Sequence, residues 1–153
     1  MKKNTLSVLY VISLLLGCAF TAMAQNSKGD NLLGYWLNEQ REAKIQIYRV
    51  GDKYSGKIVW LRDPIDTETG KPKLDKNSSD PKQHTVPVMG LNILKGFIFD
   101  GDSEWEDGTI YDPKNGKNYS CYIRFESKDR LKIRGYIGVS LLGRTTYWTR
   151  TTK

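Results

Sequence analysis

The stretch NGKNYSCYIRFESKDRLKIRGYI, residues 115–137, decides the fold. Its apolar residues recur at every second position, a period of two that belongs to a half-buried strand and not to a helix. Tyr119, Cys121, Ile123 and Phe125 share one face, and Ser120, Tyr122 and Arg124 the other. Ser127-Lys128-Asp129 turns the chain. Leu131, Ile133, Gly135 and Ile137 then point inward, while Arg130, Lys132, Arg134 and Tyr136 point outward. Ahead of the first strand, Asn115-Gly116 is the pair that a type I′ hairpin turn prefers, because both of its central residues need positive φ.

The same rhythm extends in both directions. Upstream, Ile45 and Ile47 alternate with Gln46 and Tyr48, Gly51-Asp52 offers a two-residue turn, and Tyr54 to Leu61 answers as the partner strand. Leu91 to Phe99 is apolar, Asp100-Gly101-Asp102 is turn chemistry, and Trp105 to Tyr111 returns. Arg144 to Thr151 forms the last strand. About eight short strands with closely spaced turns, and no amphipathic helix, predict an all-β chain. Such a meander closes most simply into a single antiparallel β-barrel, which leaves no exposed edge. Eight strands enclose room for packed side chains or for one small ligand. One long polar loop, Arg62 to Pro87, interrupts the pattern; it reads as a functional flap or as a solvated excursion.

The ends of the chain set the boundaries. Of 153 residues, the first 24 read as a cleavable signal peptide. Lys2 and Lys3 start it, an apolar run covers Leu6 to Phe20, and Ala22-x-Ala24 supplies the cleavage pattern, so that Gln25 begins the mature chain. A rival reading lipidates Cys18 instead. Residues 25–33 form a short polar lead, and 34–153 the barrel domain. The expected compartment is the periplasm or the outside of the cell, without a membrane span. Cleavage removes two of the 24 basic residues and none of the 17 acidic ones, so the net charge falls from +7 to +5. It also leaves one cysteine, Cys121, beside the lone histidine, His84. These counts exclude a disulfide framework, zinc fingers and His-rich metal centres. A monomer is expected.

Gly34-Tyr35-Trp36 opens the barrel domain and Trp148-Thr149-Arg150 closes it. A glycine, a gap and a tryptophan on the first strand, with an arginine near the end of the last, resembles lipocalins and related calycin barrels. In those, the resemblance implies, the guanidinium of Arg150 covers the Trp36 indole at the closed end and its fork reaches free carbonyls. The chain also resembles a family of small exported bacterial proteins catalogued as a domain of unknown function. Tyr54-Ser55-Gly56-Lys57-Ile58, Ile110-Tyr111-Asp112-Pro113, Gly116 through Cys121, Arg134 through Gly138 and Leu141-Leu142-Gly143-Arg144 carry that resemblance. It implies a lipocalin-like barrel and brings no activity.

No catalytic set emerges. His84 sits in the polar loop without a partner framed by the sequence, and Cys121 falls on an apolar strand face, where thiols are inert. Asp75-x-Asn77-x-Ser79 begins like a calcium loop, but Asp80 stands where glycine is needed and Val86 where the bidentate glutamate belongs, so no metal is assigned. No cofactor is expected, and the basic residues are too interspersed with acids for a nucleic-acid site. The mature chain carries four Trp, eight Tyr and three Phe. Tyrosines and an arginine lining a barrel suit a small amphipathic or acidic ligand, bound without catalysis at the barrel mouth. The candidate ligand residues are Trp60, Tyr111, Tyr119, Arg134 and Tyr136. Tyr111 and Tyr119 are expected to face each other, and Arg134 to turn inward if Gly135 and Gly138 supply a bulge. If Arg134 and Tyr136 stay outside, the alternative is an envelope protein or glycan interaction module with a filled barrel and an aromatic-basic patch.

Overall fold

Eight strands follow one another in the computed structural model, which describes residues 28–153. They are β1 (Gly34–Leu37), β2 (Ala43–Val50), β3 (Lys53–Leu61), β4 (Asn92–Phe99), β5 (Glu104–Asp112), β6 (Lys117–Ser127), β7 (Arg130–Tyr136) and β8 (Arg144–Thr151). Each pairs antiparallel with its neighbours, and β1 pairs with β8 to close the barrel. The chain divides into residues 1–31 and 32–153, and the barrel is the second unit. The expected signal peptide, its Cys18 alternative and the start of the polar lead lie outside the described residues. The end of that lead is not polar in character: Leu32 is fully buried and belongs to the core.

The alternation over 119–133 is what the barrel uses. Cys121 pairs with Gly135, Ile123 with Ile133 and Phe125 with Leu131. Residues directly opposite project from the same face, so one register turns the whole apolar set inward. Trp36, Ile45, Ile47, Tyr54, Ile58, Leu94, Phe97, Trp105 and Trp148 complete the interior. Glycines make room for this filling. A side chain at Gly108 would meet the Phe97 ring at 2.4 Å, and one at Gly56 the Leu94 side chain at 2.9 Å.

The two hairpin turns differ from each other. At Gly51-Asp52 only the glycine has positive φ, at 64°, which is the II′ pattern. At Asn115-Gly116 the expected type I′ turn is not formed. Gly116 alone has positive φ, and the loop holds four residues between the paired Asp112 and Lys117. Pro113 and the Asp112 carboxylate explain this. The proline presets a type I φ, and Asp112 Oδ1 accepts the Lys114 N–H at 2.9 Å, which nucleates a longer turn.

The long loop is ordered and packed. Its bridges join Ile65 to Pro72 and Leu74 to Pro87, and it contains a 3-10 turn, Pro81–Thr85, capped by Asp80. It lies on the outside of the barrel, not inside the mouth. Leu94 and Ile110 pair and face inward, so their neighbours Ile93 and Tyr111 face outward. Ile93 is nonetheless buried, and so is Asp75 of the loop, because the loop folds back over this outer face. Gly116 anchors the flap: a side chain there would overlap the Asn77 carbonyl. Asn77 Nδ2 in turn donates to the Pro113 and Lys114 carbonyls.

Candidate functional site

The closed end assembles as its sequence signature implies. The Arg150 guanidinium lies 4.2 Å from the Trp36 ring centroid, and its Nη1 donates to the Leu33 carbonyl at 3.1 Å. Trp36 Nε1–H donates to the Leu32 carbonyl at 3.0 Å. Gly34 has φ of 127°, and a side chain there would press on Arg150 Nη1 at 3.2 Å, so both its backbone and its lack of a Cβ are used. Above this seal stands an aromatic stack. Trp36 meets Phe125, Phe125 meets Trp105, and Trp105 meets Phe99 and Tyr54, with centroids 4.9–6.4 Å apart.

The five expected ligand residues do not converge. Trp60 is outward, 39% exposed, with Lys44 Nζ over its ring at 5.7 Å. Tyr119 is inward near the mouth, where its hydroxyl accepts from Asn115 Nδ2 at 2.9 Å. It pairs with Ile110, while Tyr111 pairs with Asn118, so Tyr111 and Tyr119 occupy opposite faces of the hairpin. Arg134 and Tyr136 stay on the outer face, because β7 pairs with β8 without a bulge through Gly135. Gly135 serves close approach instead: a side chain there would stand 3.2 Å from Ile110. The Arg134 guanidinium is fully engaged with its own chain. Nε donates to the Ser140 carbonyl at 2.8 Å, Nη2 to the Leu141 carbonyl at 3.1 Å and Nη1 to Thr145 Oγ1 at 2.9 Å.

The flap carries the polar feature that the sequence did not reveal. Asp75, 2% exposed, accepts the Tyr111 hydroxyl at 2.7 and 2.8 Å from its two oxygens. Burial, and next the hydrogen bond to this carboxylate, raise the Tyr111 phenol above its ordinary pKa. Where the flap meets β4 there is a cleft of about 340 Å³, lined by Gln83, Val86, Pro87, Met89, Gly90, Leu91, Asn92 and Lys95. Its wall is apolar at Val86, Pro87, Met89 and Leu91, and Lys95 brings a cation. Asn92 is held by the Tyr48 hydroxyl at 2.6 Å. Across the mouth itself, Lys114 of the β5–β6 turn reaches Glu42 of the β1–β2 turn, and Arg62 joins them at 3.4 Å. The Lys114 hydrogen bond, ahead of its charge and that of Arg62, holds the Glu42 carboxyl below its usual range.

The remaining candidates have structural roles. His84 is exposed, and its Nε2 lies 2.8 Å from the Ser78 carbonyl. Cys121 is buried, and burial pushes its thiol up to about 12. Asp100 Oδ1 accepts three backbone N–H groups, from Asp102, Ser103 and Glu104, which fixes the β4–β5 turn. Among the described residues no group of three or more His, Cys, Asp or Glu is placed to hold a metal ion. No helix among them is long and apolar enough to cross a membrane.

A closed eight-stranded antiparallel barrel, sealed at one end by tryptophan and arginine, is a lipocalin-like barrel. Among solved structures the chain is similar to protein HP1028 from the human pathogen Helicobacter pylori, described as belonging to the lipocalin family. The two share 21% identity over 80% of this chain and 84% of that one, with a TM-score of 0.66, which shows the fold. Residues 34–150 match the family described as "Uncharacterized protein conserved in bacteria (DUF2147)", and the chain belongs to that family. No curated protein matches it.

Proposed function

We propose that the protein is an exported, non-catalytic binder of a small amphipathic acid, and that the ligand sits in the cleft between the flap and β4. The observation that carries this reading is the cleft itself. Its volume of about 340 Å³ is enough for a small ligand, and it sets Val86, Pro87, Met89 and Leu91 beside one cation and two amides. Lys95 takes the role that the sequence gave to Arg134, which is spent on its own loop. Two reactive side chains support a non-catalytic role. His84 has a backbone carbonyl as its partner, and the Cys121 thiol stays protonated at neutral pH. Export rests on the leader read over residues 1–24, and N-terminal sequencing of the secreted protein should begin at Gln25.

The test uses 8-anilinonaphthalene-1-sulfonate, a small apolar anion whose emission rises in a dry site. Lys95→Glu and Met89→Asp should each weaken its binding about tenfold or more. His84→Ala should leave it unchanged. Binding that survives Lys95→Glu and disappears in Tyr119→Ala would move the site into the barrel mouth.

A second reading has its own observation. On the outer face of β6–β8 the Arg130 guanidinium lies 4.4 Å from the Tyr147 ring centroid, with Tyr122, Arg124 and Lys132 on neighbouring positions. Such an aromatic-basic patch would suit an interaction module for an anionic glycan or protein of the envelope. Retention on a heparin column that Arg130→Ala and Lys132→Ala abolish would favour it.

A further inference from the structure

The connection between β7 and β8, residues 137–143, exposes aliphatic side chains to an unusual degree. Ile137 is 66% exposed, Val139 60%, Leu141 84% and Leu142 79%. Four such residues in one seven-residue loop form a patch, and contiguous apolar surface of this kind marks an interaction site. The loop is also braced. Ser140–Leu142 forms a 3-10 turn, in which Leu142 N–H donates to the Val139 carbonyl and Gly143 N–H to the Ser140 carbonyl, each at 3.2 Å. Arg134 binds the Ser140 and Leu141 carbonyls from below. Gly143 lets the turn lie down on β7, since a side chain there would meet the Gly135 carbonyl at 2.6 Å.

From this arrangement we infer that the 137–143 loop inserts its aliphatic tip into the surface of an anionic lipid bilayer. Two features select a bilayer. The carbonyls of Val139, Ser140 and Leu141 are satisfied within the chain, a condition that hydrocarbon imposes and a wet protein interface does not. The tip is also collared by cations. Arg144 follows the loop directly, and Lys117 begins the neighbouring strand β6; both are exposed and enter no ion pair among the described residues. Apolar insertion and attraction to anionic headgroups act together in interfacial binding, and the chain without its expected leader is still basic overall, at +5. Arg134 is here a positioning residue: it presents the turn and does not touch the lipid.

The inference is independent of the cleft and is tested separately. The full chain is floated with vesicles of phosphatidylglycerol and phosphatidylcholine in equal parts, and with vesicles of phosphatidylcholine alone. Because the apolar run at 6–20 can enter a bilayer by itself, the deciding readout is local. In Leu141→Trp, the added indole emission over the parent protein should shift to the blue with anionic vesicles and be quenched by brominated acyl chains. Leu141→Asp combined with Leu142→Asp should lower vesicle affinity about tenfold or more at an unchanged melting temperature, since both residues are exposed. Arg134→Lys should weaken binding with the aliphatic tip intact. An indole at 141 that stays unshifted with vesicles would overturn the inference. So would self-association that the aspartates abolish in a protein without vesicle binding, which would make a second copy the occupant.

Discussion

The two ends of the barrel are closed by opposite chemistry. At the Trp36 end the seal is a buried indole with one guanidinium laid over it, whose Nη1 donates to the Leu33 carbonyl and whose Nε lies 3.4 Å from the Asp129 carboxylate. At the other end the strap is polar and mostly exposed, Lys114 and Arg62 on Glu42, and the neighbouring flap is fastened by one buried pair, Asp75 and Tyr111. Burial of large rings is worth several kcal/mol, whereas an exposed ion pair is worth a fraction of one. One end is therefore built to stay shut and the other to open at low cost.

Trp36→Ala tests the sealed end and should have the largest effect. The ring is fully buried and stacked on Phe125, so its loss should cost about 3–5 kcal/mol by chemical denaturation. An unchanged midpoint would dissolve the contrast between the ends. Tyr111→Phe comes next. It leaves the Asp75 carboxylate buried without its donor, at about 1.5–3 kcal/mol, and Asp75→Asn should cost less because the amide oxygen still accepts. Trypsin should then cleave within 62–82 sooner than in the parent, with the barrel intact. Equal cleavage rates would mean that the flap is held by something else.

The thiol in the wall between the two ends gives a third effect. Its native pKa, about 12, lies above the unfolded value of 9.0. The unfolded chain therefore loses the proton first, and stability falls as pH rises through the window from 9 to 12. One pH unit above 9 this amounts to about 1.4 kcal/mol, and Cys121→Ala should flatten that part of the stability profile. The same burial predicts slow labelling by a thiol reagent in the native state. Smallest is Glu42→Gln, which should move global stability by no more than about 0.5 kcal/mol, since the strap is exposed. The carboxyl is lowered below 4.5, so what it contributes is present above that pH and lost as acid titrates it.

The barrel was legible because its information is local and periodic. From Tyr119 to Phe125, and again from Leu131 to Ile133, every second residue is apolar, and one register turns both sets toward the interior. Gly34, Trp36 and Arg150 were legible through a resemblance, and their geometry agrees. The flap was not legible, because Asp75 lies in a run of polar residues and its partner is an outer-face tyrosine 36 positions away. Nor did spacing reveal that Arg134 holds Ser140 and Leu141, since alternation gives the face of a side chain and not its partner. The Asn115-Gly116 signal was genuine but was overruled by Pro113 and Asp112 beside it. Ile137 was expected to face inward with Ile133, but β7 ends at Tyr136 and Ile137 is exposed.

Closure of β1 on β8 also bears on how the chain reaches its native state. The contact between Leu33 and Arg150 spans 117 positions, so closing the seal costs more loop entropy than closing any hairpin. Hairpins such as β2–β3 and β6–β7 need only short loops to close, and they gain their pairing first. The Trp36 seal is therefore expected to form late. A barrel of this topology is expected to fold on the millisecond-to-second scale, with indole burial at Trp36 lagging hairpin formation.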